Sequence, residues 1–154
     1  MPLNEPRTMH LVDIENLVGS PNPSRAQVEL WNRWYSDHIT ESGDQVVVAS
    51  SHHAFATVGF AWPKARHLVR SGRDGADLAL LQVLHCEHVA DRFDRVVIAS
   101  GDGIFVDAVA ELGSVGIEVV VVARAESLAK RLRLAARHCL VLGEHPARRT
   151  EVAQ

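Results

Sequence analysis

A chain of 154 residues, 47% hydrophobic and 23% charged, is long enough for one folded core and too rich in aliphatic residues for a disordered segment. Its formal net charge of −3 excludes the strongly basic surface of a protein that grips nucleic acid by charge alone. It leaves room for a site where a bound cation changes the local sign.

In chain order, residues 8–12 form a first, weaker strand candidate, followed by Asp13-Ile14-Glu15-Asn16. Ser24 then caps a helix reaching about residue 39, with Gln27 at the capping-box position and Val28, Trp31, Trp34 and Tyr35 along one stripe. Val28, Trp31 and Tyr35 should face inward, with Arg33 and Asp37 outside. An alternative places Trp34 and Tyr35 in a homodimer interface.

Residues 45–49 are a run of β-branched residues, the pattern of a strand buried on both faces of a parallel sheet. A short helix follows His53 and must end before Pro63, and residues 65–70 are another weak strand. Residues 74–90 read as the longest and most apolar helix, 95–99 as a second Val-rich strand, and 103–112 as a helix stopping at Gly113. The third Val-rich run is 117–123. Residues 126–136 then form an amphipathic helix with Leu128, Leu132 and Ala135 inward and Lys130, Arg131, Arg133 and Arg137 outward. Residues 138–142 close the sheet as a sixth strand.

Strands alternating with helices predict an α/β fold, a three-layer αβα sandwich around a mainly parallel sheet of five or six strands. One domain over residues 1–149 and a flexible tail over 150–154 are expected. Cys86 and Cys139 are too few for a disulfide framework, the first residues are not signal-like, and no apolar run approaches the ~20 residues of a membrane span. A cytoplasmic protein without a membrane segment is therefore expected.

The chemistry follows the strands. Asp13 stands just past the first strand and Asp102 just past the strand at 95–99, in Ser100-Gly101-Asp102-Gly103. A parallel sheet puts both at its C-terminal edge, where ligands bind in open α/β folds. Asp77 lies in the first turn of the apolar helix, in Gly75-Ala76-Asp77-Leu78. Carboxylates converging in one cleft repel unless a hard cation neutralises them, and Mg²⁺ or Mn²⁺ suits an all-oxygen site. Each residue also has a plainer reading: an Asx-turn for Asp13, a favourable helix start for Asp77, an ordinary turn for Asp102.

Neither a Walker-type phosphate loop nor a GxGxxG after the first strand is present. His85, Cys86 and His88 offer two zinc ligands at helical spacing or simply a polar helix face. His52 and His53 follow the second strand at the same sheet edge, where they either touch phosphate or base or serve as turn and cap. Arg148-Arg149 adds a weak basic element near the C-terminus.

Taken together, three segments carry a resemblance. Leu11-Val12-Asp13-Ile14-Glu15-Asn16-Leu17, Gly75-Ala76-Asp77-Leu78-Ala79-Leu80 and Val97-Ile98-Ala99-Ser100-Gly101-Asp102-Gly103-Ile104-Phe105 resemble, in order and spacing, the motifs of NYN domains. These form the branch of the PIN-like nuclease superfamily that includes LabA-type bacterial proteins.

The resemblance implies a PIN-like sheet with the first and fourth strands adjacent, and divalent-metal cleavage of RNA, single-stranded or in structured loops. It implies Asp13, Asp77 and Asp102 as metal carboxylates, with Asn16 orienting the Asp13 loop or a metal-bound water. Ser100 would brace the turn or contact substrate phosphate. Two positions depart from the family pattern. The second acid of its Ser-Gly-Asp-x-Asp-Phe motif is Ile104 here, with Glu15, Asp74 or Asp107 open as substitutes. Asp74 stands where many members carry a basic or small residue. An NYN fold of weak activity, kept for RNA binding or regulation, is the alternative this leaves.

Overall fold

The computed structural model describes residues 5–72 and 74–143; the expected tail and Arg148-Arg149 lie outside them. Six strands form one sheet in the order β3-β2-β1-β4-β5-β6, with every neighbouring pair parallel. They are β1 (Thr8–Asp13), β2 (Gln45–Ser50), β3 (Arg66–Val69), β4 (Arg95–Ala99), β5 (Glu118–Arg124) and β6 (His138–Leu142). The chain winds from β1 outward to β3, then returns to β4 on the other side of β1. The crevice between the C-terminal ends of β1 and β4 is the switch point where α/β sheets bind ligands. Val12 pairs with Ala99 there, so the residues after each strand emerge side by side.

Side chains alternate across each strand and build two cores. One holds Met9, Leu11, Val47, Ile98 and Val121 against α4 (Gly75–Cys86) and α6 (Val106–Ser114), with Leu132 of α7 (Lys130–Ala135). The other holds Val12, Val48, Val97 and Val122 against α1 (Ile14–Val18), α2 (Arg25–His38) and α3 (Phe55–Ala61). These are the three layers expected. Among the described residues no helix is long and apolar enough to cross a membrane.

The capping box at Ser24 and Gln27 is formed. Trp34 is 6% exposed and Tyr35 fully buried. Both belong to the core, and neither leaves surface for the interface considered above.

Strand β1 is buried along its whole length despite three polar residues, Thr8, His10 and Asp13. His10 Nε2 lies 2.7 Å from Asp44 Oδ2 and Nδ1 lies 2.8 Å from the Tyr35 hydroxyl. Both ring nitrogens are thus satisfied, as burial demands. Burial holds the His10 pKa below the ordinary histidine value, against the opposing pull of Asp44.

Four helical segments differ from expectation. A short unforeseen helix, α1, starts directly after β1, capped by the Asp13 carboxylate and ended by Gly19 in left-handed conformation. The helix expected over 74–90 stops at Cys86. His88 is left-handed (φ 52°), and α5 (Val89–Arg92) restarts the chain so that Val89 and Phe93 enter the core.

The helix expected over 126–136 is broken into a 3₁₀ turn at Ala125–Ser127 and the six-residue α7. Ala129 N–H donates to Gly101 O at 2.8 Å, and this bond to the site turn holds 128–129 extended. Leu132 faces inward, Leu128 and Ala135 only partly so, and the four basic residues are exposed. The expected helix at 103–112 likewise opens as a 3₁₀ turn at Gly103–Phe105, and α6 runs through Gly113 to Ser114.

Candidate metal centre

Asp13, Asp77 and Asp102 line one cleft at the C-terminal edge of the sheet, together with Glu15, Asn16, Ser51 and Asp74. Asp13 ends β1 and Asp102 follows β4 at the adjacent strand; α4 brings Asp77 in from above the sheet edge. Asp13 and Asp77 are each only 5% exposed.

One carboxylate oxygen from each of Asp74, Asp77 and Asp102 lies within 4.8 Å of the others. Asp13 joins this set through a side-chain hydrogen bond with Asp77. His85, Cys86 and His88 form no such group, and among the described residues these three aspartates are the only one. The zinc reading has no support from placement.

Buried carboxylates at this spacing cannot all stay ionised without a counter-charge. Burial, then the facing Asp13 and Asp102, push the Asp77 carboxyl up to about 10. Burial also raises Asp13, against hydrogen bonds from Asp77, the Asn16 N–H and Ser100, with the Asp102 charge raising it further. Without a cation, Asp77 keeps its proton near neutral pH and shares it with Asp13.

Asp77 Oδ1 is buried without a hydrogen-bond partner among the described residues, which is costly for a carboxylate oxygen. An oxygen-only donor set with an orphaned buried oxygen fits a hard divalent cation such as Mg²⁺ or Mn²⁺. Asp13, Asp77 and Asp102 would hold it.

Small residues let the backbones approach closely enough to make this geometry. A Cβ on Gly75 would lie 2.2 Å from the Arg70 carbonyl oxygen, and one on Gly101 would lie 2.2 Å from that of Ser127. Any side chain at either position would push α4 or the Ser-Gly-Asp turn away from the cleft.

Asn16 and Ser100 act beside the carboxylates. The Gly101 N–H donates to Asn16 Oδ1 at 2.9 Å, tying α1 to the turn that carries Asp102. The Asn16 N–H donates to Asp13 Oδ1 at 3.3 Å. The Ser100 hydroxyl donates to Asp13 Oδ2 at 3.5 Å and accepts from the Asp102 N–H at 3.2 Å. Ser100 is completely buried, and its hydroxyl links Asp13 to the turn that carries Asp102. Of the open substitutes for Ile104, Asp107 is exposed and outside the cleft, while Glu15 and Asp74 line it.

Arg124 is a positioning residue that the sequence reading missed. Its guanidinium, at the end of β5, donates to the carbonyls of Asn16 and Leu17, both at 3.1 Å, and to Glu126 Oε1 at 2.6 Å. It thereby satisfies the free carbonyls of a helix too short to pair them itself. Its partners in α1 lie more than a hundred residues earlier and are backbone atoms, so no residue-type signal announces that contact.

Acidic side chains gathered at the switch point of an all-parallel αβα sheet define a PIN-like fold and centre. The chain belongs to the NYN domain family, whose model matches residues 7–143, and through it to the PIN-like nuclease superfamily. Its structure is similar to the crystal structure of a protein of unknown function from Vibrio parahaemolyticus. The TM-score is 0.57 at 18% identity, over 92% of this chain and 95% of that one. That likeness concerns the fold alone. No curated protein matches the chain.

Proposed function

We propose that this protein is a divalent-metal-dependent endoribonuclease that hydrolyses RNA phosphodiester bonds. The observation that carries the reading is the buried Asp77 oxygen, without a hydrogen-bond partner among the described residues, in the cleft that Asp13 and Asp102 also line at the sheet's switch point. Family membership in a nuclease superfamily supports the phosphodiester as substrate.

When bound, Mg²⁺ or Mn²⁺ would supply positive charge to the phosphoryl group and acidify a water. Asp13, Asp77 and Asp102 would hold the cation, Asp77 giving up its proton to do so. Asn16 and Ser100 keep the Asp13 and Asp102 backbones in register, so no carboxylate reorganises during the reaction. His52 and His53 are exposed beside Ser51 of the cleft, where they would meet RNA phosphate or an unpaired base. The free thiols Cys86 and Cys139 go with a cytoplasmic setting.

Ile104 favours a second reading, an NYN module that binds RNA with little cleavage. One assay separates the two. A labelled single-stranded RNA should be cut with Mg²⁺ or Mn²⁺ and left intact with a chelator. Binding without cutting under every metal condition would favour the second reading, and cutting that survives the chelator would contradict the first.

A further inference from the structure

The family motif leaves one acid unaccounted for at position 104. The Ile104 side chain packs against the first core, and its N–H donates to Asp102 Oδ1 at 2.9 Å. Hydrocarbon therefore closes that flank of Asp102, and a replacement acid must approach from elsewhere. Asp107 is exposed and outside the cleft. Glu15 is in the cleft and accepts from the Ser51 N–H, but its carboxylate is not in the set of described side chains whose oxygens lie within 4.8 Å of one another.

Among the described residues Asp74 has no such engagement. It precedes α4 in a left-handed backbone conformation (φ 57°, ψ 23°) and caps no helix N–H with its side chain. Its carboxylate instead lies with those of Asp77 and Asp102, one oxygen of each within 4.8 Å of the others. A cation bound at about 2.1 Å spans oxygens up to about 4.2 Å apart, so a small rotation of the exposed Asp74 completes the set. The independent sign that this cluster faces a ligand is Asp77 Oδ1, buried without a partner among the described residues, in a residue 5% exposed.

We propose that Asp74 is the outer carboxylate ligand of the divalent cation, supplied by the turn before α4 in place of the acid missing at Ile104. The two departures from the family pattern then become one exchange: an acid lost after β4 and an acid gained before α4. This assignment rests on the metal-centre reading above, and the test separates the two.

The test is Mn²⁺ affinity of the full chain, measured from the loss of the free-ion EPR signal. The proteins compared are wild type, Asp74→Asn, Asp107→Asn, Asp102→Asn, and Asp74→Asn combined with Ile104→Asp. Asn tolerates the left-handed backbone as Asp does, so Asp74→Asn keeps the turn, and circular dichroism checks the fold. Asp74→Asn should weaken Mn²⁺ binding about tenfold or more. Asp107→Asn, which removes a charge outside the cleft, should bind as wild type does, and the double variant should recover part of the loss.

Unchanged affinity in Asp74→Asn, with Asp102→Asn impaired, would overturn the role of Asp74 alone. Unchanged affinity in Asp102→Asn as well would overturn the metal centre and this assignment with it. Should the double variant fail to fold, because position 104 packs against the core, Asp74→Asn decides by itself.

Discussion

Asp102→Asn should lower metal-dependent RNA cleavage by more than about 100-fold, beyond the range for residues that only support a metal ligand. Asp102 follows β4 directly and shares its cleft with Asp13 and Asp77. The local fold does not need its charge. The Ile104 N–H donates to Oδ1, and an amide oxygen accepts that bond equally well. What changes is the donor set, because a neutral amide binds Mg²⁺ less tightly than a carboxylate. Cleavage of labelled RNA by both proteins, with unchanged circular dichroism, is the measurement. Equal rates would remove Asp102 from the reaction.

Asp77→Asn should stabilise the metal-free protein while abolishing tight metal binding. The sign follows from the raised carboxyl. The folded chain keeps the Asp77 proton up to about pH 10, whereas the unfolded chain releases it near the ordinary carboxylate value of about 4. Between these limits the folded state binds the extra proton, so stability falls as pH rises. Asp13, also raised by burial, acts in the same direction. An Asn amide can donate to Asp13 as the protonated acid does and never ionises, which removes the Asp77 share of this loss.

Thermal melts in chelator should therefore show the mutant above wild type, with the gap widening from pH 5 to pH 9. Roughly 2–4 °C corresponds to each 1 kcal/mol in a chain of this size. In wild type a cation must displace the proton, so metal affinity should climb with pH over the same window. Parallel melting curves for the two proteins at all pH values would contradict the shared proton.

The order of layers was legible because β2, β4 and β5 are nearly continuous β-branched runs, which suit strands covered on both faces. Strand β1 gave a weaker signal. Thr8, His10 and Asp13 look like surface residues until Tyr35 and Asp44, 25 and 34 positions beyond His10, are seen to satisfy its imidazole. The break between Ser127 and Lys130 was hidden for a similar reason, since its cause is the close approach of Gly101 from another strand.

In the site, Asp13, Asp77 and Asp102 stood out because parallel strands send successive loops to one edge, and order along the chain reveals that much. Ranking Glu15, Asp74 and Asp107 needed three facts that residue type does not encode. The Glu15 carboxylate accepts from the Ser51 N–H and is not in the close set of oxygens, the backbone at Asp74 is left-handed, and α6 carries Asp107 outside the cleft. The hold of Arg124 on α1 was beyond reach altogether, because there it donates to carbonyl oxygens rather than to side chains.

The most direct test of the metal centre is a crystal soaked in Mn²⁺ and measured at the manganese absorption edge. An anomalous peak should stand in the cleft, about 2.2 Å from carboxylate oxygens of Asp13, Asp77 and Asp102. A peak confined to other residues, such as His85 and His88, or an empty cleft at saturating Mn²⁺, would contradict it.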